Sequence, residues 1–259
     1  MNIDLSGKTA LITGASKGIG AVTATHMAEC GARVALLARS GGEIARIAAE
    51  INTTHGEGTA LAIPCDVASW NAVSDAVAQI ISTFGSLDLV VNNAGLIEPI
   101  SRLEDSDPVA WGEVIDVNVK GVYNVIRAAA AQMRAQGSGV VVNISSGAAT
   151  SALEGWSHYC SSKAAVLSLT ACAHKELSDH GVRVVGLSPG TVATDMQVAI
   201  KASGINPVSQ LDPGVHTSPE WVAKAIAWLA TDAARPFDGG DCSLRSEDVR
   251  QAIGMQGDG

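Results

Sequence analysis

The fold class this sequence predicts is α/β: a doubly wound parallel sheet with helices on both faces. Its 259 residues suit a single domain, residues 1–259. Three observations predict that architecture. Strand-like and helix-like runs alternate along the chain. The first strand runs directly into a glycine-rich turn and then a helix. Small aliphatic residues are plentiful while aromatics make up 3%, which suits a sheet covered closely by helices on both sides.

Lys8–Thr13 is an apolar run of strand length, and Lys17–Cys30 reads as a helix ended by Gly31. Arg33–Ala38 is the second strand. Glu43–Thr54 reads as a helix, stopped by Gly56 and Gly58, and Thr59–Pro64 is the third strand. Ser69 caps a helix running to Phe84, and Leu87–Asn92 is the fourth strand. Pro108–Gln136 reads as one long helix, followed by a fifth strand at Gly139–Ser145. Tyr159–His180 is a helix closed by Gly181, and Val182–Ser188 is the sixth strand. A short helix over Asp195–Ala202 leads into Gly204–Thr217, where Gly, Pro and Asn cluster. Residues 195–217 are the candidate substrate loop. A helix from Ser218 to Thr231 and a short strand at Asp241–Leu244 complete the pattern. Such alternation implies right-handed crossovers, with ligands bound beyond the carboxyl ends of the strands.

A net charge of −9 argues against a nucleic-acid partner, which would call for a basic surface. No run approaches the length of a membrane span, and Met1–Leu5 lacks the charged and apolar regions of a secretory leader. The five cysteines are scattered, with no C-x-x-C pair. They read as reduced thiols in a cytoplasmic protein. The histidines form no metal-like constellation, so no metal site is expected.

The turn Thr13–Gly20 carries glycines in G-x-x-x-G-x-G spacing. Glycine permits a tight turn and close approach of a phosphate to the backbone, and the following helix N-terminus offers free N–H groups. Gly14, Ser16, Lys17, Gly18, Ile19 and Gly20 are therefore candidate cofactor contacts. About 20 residues further on, where a dinucleotide ribose is read, stand Arg39 and Ser40 rather than an acid. Two cations, Lys17 and Arg39, suit a 2′-phosphate and hence NADP, with NADPH preferred over NADH. Asp66 and Val67 are placed to meet the adenine, and Asn93, Ala94 and Gly95 to pass beneath the cofactor.

Tyr159 and Lys163 stand four residues apart on one helix face, thirteen positions after Ser146. In order along the chain, Thr13–Gly20, Asn92–Gly95, Asn118, Asn143–Ser146, Tyr159-x-x-x-Lys163 and Pro189-Gly190-x-x-x-Thr194 resemble the short-chain dehydrogenase/reductase family. The resemblance covers roughly residues 5 to 200. It implies a Rossmann-like fold, with Asn118, Ser146, Tyr159 and Lys163 as the catalytic set. It also implies that Tyr159, Lys163, Pro189 and Gly190 contact the cofactor and that Val192 and Thr194 hold its carboxamide. A homodimer or homotetramer is implied as well. Leu96–Pro99 and Ala193–Gln197 are further similar to the sepiapterin/benzil-reductase branch, whose substrates are small dicarbonyls. Phe237–Leu244 departs from the family's usual late-strand ending.

The activity this implies is NADPH-dependent reduction of a small ketone or diketone, reversible, with tyrosine as general acid and base. A free tyrosine titrates near 10, so lowering it by about 3 units needs about 4 kcal/mol of preference for the phenolate. One ammonium about 4 Å away supplies about that at an effective dielectric near 20. Ser146 would stabilise the developing alkoxide, and Asn118 would hold a proton-relaying water. Two other readings use the same cofactor site. One is a nucleotide-sugar epimerase or dehydratase, which would need a larger C-terminal region than the residues after Pro189. The other is a non-catalytic NADP-binding redox sensor, which would need no proton donor.

Overall fold

Seven strands form one parallel sheet in a computed structural model that describes residues 3–255. They are β1 (Thr9–Thr13), β2 (Arg33–Ala38), β3 (Ala60–Pro64), β4 (Leu89–Asn92), β5 (Gly139–Ile144), β6 (Val182–Ser188) and β7 (Asp241–Ser243). Their order is β3-β2-β1-β4-β5-β6-β7, so the direction of winding reverses between β1 and β4. That reversal opens a crevice at the carboxyl ends of these two strands.

Both faces of the sheet are apolar, which is why the strands read as continuous hydrophobic runs rather than alternating ones. On one face Ile12, Leu36, Val91, Val142 and Leu187 pack against three helices: α1 (Gly18–Glu29), α2 (Gly41–His55) and α8 (Pro219–Leu229). On the other, Leu11, Leu37, Val90, Val141 and Val184 pack against α3 (Trp70–Phe84), α5 (Gly121–Gln136) and α6 (Ser157–Leu177). The second face turns polar near its carboxyl edge. Asn92, Asn143, Gly186 and Asp241 stand in register across β4, β5, β6 and β7. Asn92 donates to Asn143 (2.8 Å), which donates to Thr170 of α6 (2.9 Å).

The strands and most helices lie where the sequence pattern puts them, with ends shifted by a residue or two. Two segments differ. The expected single helix Pro108–Gln136 is α4 (Pro108–Ile115), a π-helical turn over Asp116–Lys120, and then α5. Gly204–Thr217 is folded rather than irregular. After α7 (Asp195–Ser203) come two 3₁₀ turns, Pro207–Gln210 and Pro213–Val215, capped by the side chains of Asn206 and Asp212. A bridge between Val192 and Thr217 ties the base of this flap to the end of β6. A short helix, α9 (Glu247–Ala252), follows β7. Among the described residues, no helix is long and apolar enough to cross a membrane.

Candidate active site

The glycine turn leaves β1 with Gly14 at φ 64° and Gly18 at φ 54°, conformations that favour glycine. A Cβ on Gly14 would lie 2.9 Å from Ala94 Cα. One on Gly20 would run into the Gly14 carbonyl and come within 2.6 Å of Asn93 Nδ2. The turn therefore rests directly on the segment after β4, and hydrogen bonds hold it there. Asn93 Nδ2 donates to the carbonyls of Thr13 (2.9 Å) and Gly14 (3.2 Å), and Thr13 Oγ1 accepts from the N–H groups of Asn93 and Ala94, both at 3.0 Å. Sequence reading missed Thr13, whose role depends on a partner 80 residues away. No side chain caps α1, so its first N–H groups remain available to an anion.

Arg39 and Ser40 lie exposed at the end of β2, and among the described residues Arg39 makes no ion pair. Lys17 is engaged elsewhere, pairing at 2.9 Å with Asp195 at the start of α7. The structure therefore joins Lys17 to the flap instead of to Arg39. Ser16 and Ile19 are half-buried in the turn. Asp66 accepts from Ala68 N (3.0 Å), and Val67 is buried against Gly121 of α5. Gly95 is half-buried beside Asn118 Oδ1. Pro189 and Val192 are buried after β6, Gly190 has φ 76°, and Thr194 approaches Gly18. Positive-φ glycines in close packing, an uncapped helix start and an available cation at the end of β2 fit a nicotinamide dinucleotide.

Ser146 follows β5, and its Oγ accepts from Ala148 N at 3.2 Å, leaving its own O–H free to donate. Tyr159 and Lys163 occupy the first two turns of α6, which starts two residues before the expected position. Tyr159 packs edge-on against Trp156, with ring centroids 5.6 Å apart, in an apolar cluster with Ile97, Ala148 and Ile200. Lys163 is buried; its Nζ donates to the Ile144 carbonyl at 2.7 Å and lies 5.5 Å from the Tyr159 ring centroid.

The electrostatics of this pair differ from expectation. Burial pushes the Tyr159 phenol up to about 12, against the opposing pull of the Ser146 hydroxyl. Burial brings Lys163 down to about 8, opposed by the charge of Asp241. The lysine head is turned toward Ile144, so desolvation outweighs the attraction anticipated between ammonium and phenolate.

Asn118 sits in the π turn. Its Oδ1 accepts from Leu96 N (2.8 Å), and its Nδ2 donates to the Leu96 carbonyl (2.9 Å) and to Ser162 Oγ (3.0 Å). Ser162 in turn donates to the Tyr159 carbonyl (2.8 Å). Both amide hydrogens of Asn118 are thus spent on protein, and the side chain clamps the segment after β4 to α6. His158 is likewise structural: its Nε2 meets the Ile97 carbonyl at 2.6 Å, and burial lowers its pKa.

The profile of the short chain dehydrogenase family matches residues 8–203. The chain belongs to the short-chain dehydrogenase family. This dehydrogenase is 35% identical over 238 residues to the 3-oxoacyl-(acyl-carrier-protein) reductase FabG of Staphylococcus aureus, covering 90% of this chain and 94% of that one. It is 35% identical over 230 residues to the cis-4-hydroxycyclohexanecarboxylate dehydrogenase of Sinomonas cyclohexanicum, covering 88% and 90%. A short-chain type dehydrogenase/reductase from Mycobacterium marinum superposes with a TM-score of 0.85 at 34% identity, covering 93% and 95%. An NAD+-bound xylitol dehydrogenase gives 0.85 at 26% identity, covering 92% and 98%. Family membership makes this chain an oxidoreductase that works with a nicotinamide cofactor on small molecules.

Proposed function

We propose that this dehydrogenase reduces a small ketone or diketone to the alcohol with NADPH, reversibly, in the cytoplasm. The observation that carries the reading is the convergence of Ser146, Tyr159 and Lys163 at the end of β5, beside an apolar wall of Ile97, Ala148, Trp156 and Ile200. The bound cofactor supplies hydride for reduction and accepts it for oxidation. Tyr159 gives the proton to the carbonyl oxygen, and the free Ser146 O–H donates to the same atom as it gains charge. Lys163 stabilises the phenolate that remains. Asn118 is a positioning residue that fixes α6 against the segment after β4.

The cofactor would be held by the turn from Gly14 to Gly20 at its phosphates, by Asp66 and Val67 at the adenine, and by Asn93, Ala94 and Gly95 beneath. Val192 and Thr194, after Pro189 and Gly190, would take the carboxamide, and Lys163 beside Tyr159 the nearby ribose. Preference for NADPH rests on Arg39 and Ser40, where β2 ends without a carboxylate. Lys17 would join them by releasing Asp195. The xylitol dehydrogenase of similar fold carries NAD+, so the fold alone does not select the cofactor. A homodimer or homotetramer fits the apolar side chains of Val109 and Tyr123, exposed on α4 and α5; sedimentation at the mass of one subunit would remove that part of the proposal.

The test is loss of reduced-nicotinamide absorbance across ketones, diketones and pteridines with each cofactor. NADPH should outperform NADH on at least one carbonyl, and Arg39→Ala should erase that preference by about tenfold or more. An Arg39→Ala variant that weakens both cofactors equally would reject the phosphate-site assignment.

A further inference from the structure

Lys163 of α6 and Asp241 of β7 both approach the α6 face of the sheet near its carboxyl edge, without forming a direct ion pair. Asp241 opens β7 and pairs in register with Gly186 of β6, which pairs with Asn143 of β5. The residue is exposed at the sheet edge, but its carboxylate is turned inward. A Cβ on Gly186 would lie 2.5 Å from Asp241 Oδ1. The missing side chain at Gly186 is what makes room for the carboxylate over the sheet, on the face that carries α6. Beyond Gly186 lies Ser145, whose buried Oγ makes no hydrogen bond. Lys163 reaches the same place from α6 and donates to the carbonyl of Ile144, the residue before Ser145.

We propose that Asp241 is a positioning residue for Lys163: its carboxylate, seated in the slot over Gly186, holds the buried ammonium charged. The proposal rests on the reading of Lys163 as part of the reactive set. Asp241 is the charged group that favours protonated Lys163 against burial. The attraction is mutual, since Lys163 favours ionised Asp241, whose pKa burial has pushed up to about 6. Other ionisable groups nearby are occupied or turned away. Tyr159 shares the helix with Lys163 and is neutral up to about 12. His174, further along α6, faces Val184 N and Gly239. Arg183 is paired with Asp238, and Arg245 lies by Gly190. The hydroxyls of Ser145 and Ser146 and the amide of Asn118 carry no charge.

A lone buried ammonium in this pocket would lose its proton within the working pH range, and with it the stabilisation of the phenolate. An inward carboxylate at the sheet edge prevents that.

The test uses two variants that remove the interaction differently. Asp241→Asn removes the charge and keeps the shape. Gly186→Ala keeps the charge but fills the slot, forcing the carboxylate out. The first readout is the titration of Lys163 Nζ in the cofactor-free protein, followed by NMR of 13C-labelled lysine and assigned with Lys163→Arg. Each variant should lower that pKa by about one unit or more, and the double variant should go no further than either alone. The second readout is the pH profile of kcat, whose alkaline limb should move to lower pH by the same amount. An unchanged Lys163 titration in Asp241→Asn overturns the proposal, and so does a fall in kcat that is equal at every pH. Absence of turnover in the parent enzyme would instead sink the catalytic reading, while the titration would still decide the role of Asp241. Should Gly186→Ala fail to fold, Asp241→Asn carries the test alone.

Discussion

Lys163 and Tyr159 are both buried against their ionisation preferences, and this gives the protein a characteristic pH dependence. An unfolded lysine holds its proton to about 10.5, whereas folded Lys163 releases it at about 8. Between those values the unfolded chain binds the extra proton, so stability rises with pH and is lost as pH falls through about 8. Tyr159 works in the opposite direction. Its folded pKa of about 12 lies above the unfolded 10, so its contribution is present below pH 10 and is lost as pH rises toward 12. Lys163→Met should therefore melt higher than the parent protein at pH 7, by a margin on the order of 3 kcal/mol, and the margin should narrow toward pH 10. Thermal melts across pH 7 to 10 check this; a pH-independent margin would mean that Lys163 is not held under desolvation. Tyr159, Ser146 and Lys163 could be picked out from sequence because their spacing on a helix and after a strand is local. Asp241 and Gly186 could not, because strand pairing between β6 and β7 alone brings them together.

The element that most changes the reading of the site is the π turn over Asp116–Lys120. A π turn inserts one residue and rotates the helix face, a device common at functional sites. Here it delivers Asn118 to the backbone of Leu96, 22 residues earlier. No helical periodicity within Pro108–Gln136 could announce that partner, so the segment reads as one regular helix from sequence. Asn118→Ala would leave the Leu96 N–H and C=O without their partner and free Ser162 from the turn. The expected cost is about 2 kcal/mol or more of stability, with kcat falling more than cofactor affinity. Denaturant unfolding and cofactor titration together check it; full stability would show that water replaces the amide. By contrast, β1 through β6 were legible to within two residues. Strands buried on both faces leave continuous apolar runs, and glycines mark the ends of α3, α5 and the 3₁₀ turn after α6.

At the scale of the whole molecule, several segments the sequence singled out share one edge of the sheet. The glycine turn, Arg39, the segment after β4, Ser146 and Pro189–Thr194 all follow the carboxyl ends of strands in a single parallel sheet. That common edge was predictable from topology. The flap was not, since its two 3₁₀ turns depend on capping by Asn206 and Asp212 and its base on the bridge between Val192 and Thr217. Flap and glycine turn are joined across the crevice by Lys17 and Asp195, both more than 70% exposed, so the pair contributes little to stability and can yield to a phosphate. Under the proposed function, Tyr159 is the proton donor of a reductase. The most direct measurement is single-turnover NADPH oxidation by Tyr159→Phe and the parent enzyme on a carbonyl the parent reduces, with NADPH binding followed by fluorescence. The expected result is a loss of about 10²-fold or more in the rate with NADPH affinity unchanged. A variant that turns over at the parent's rate would contradict it.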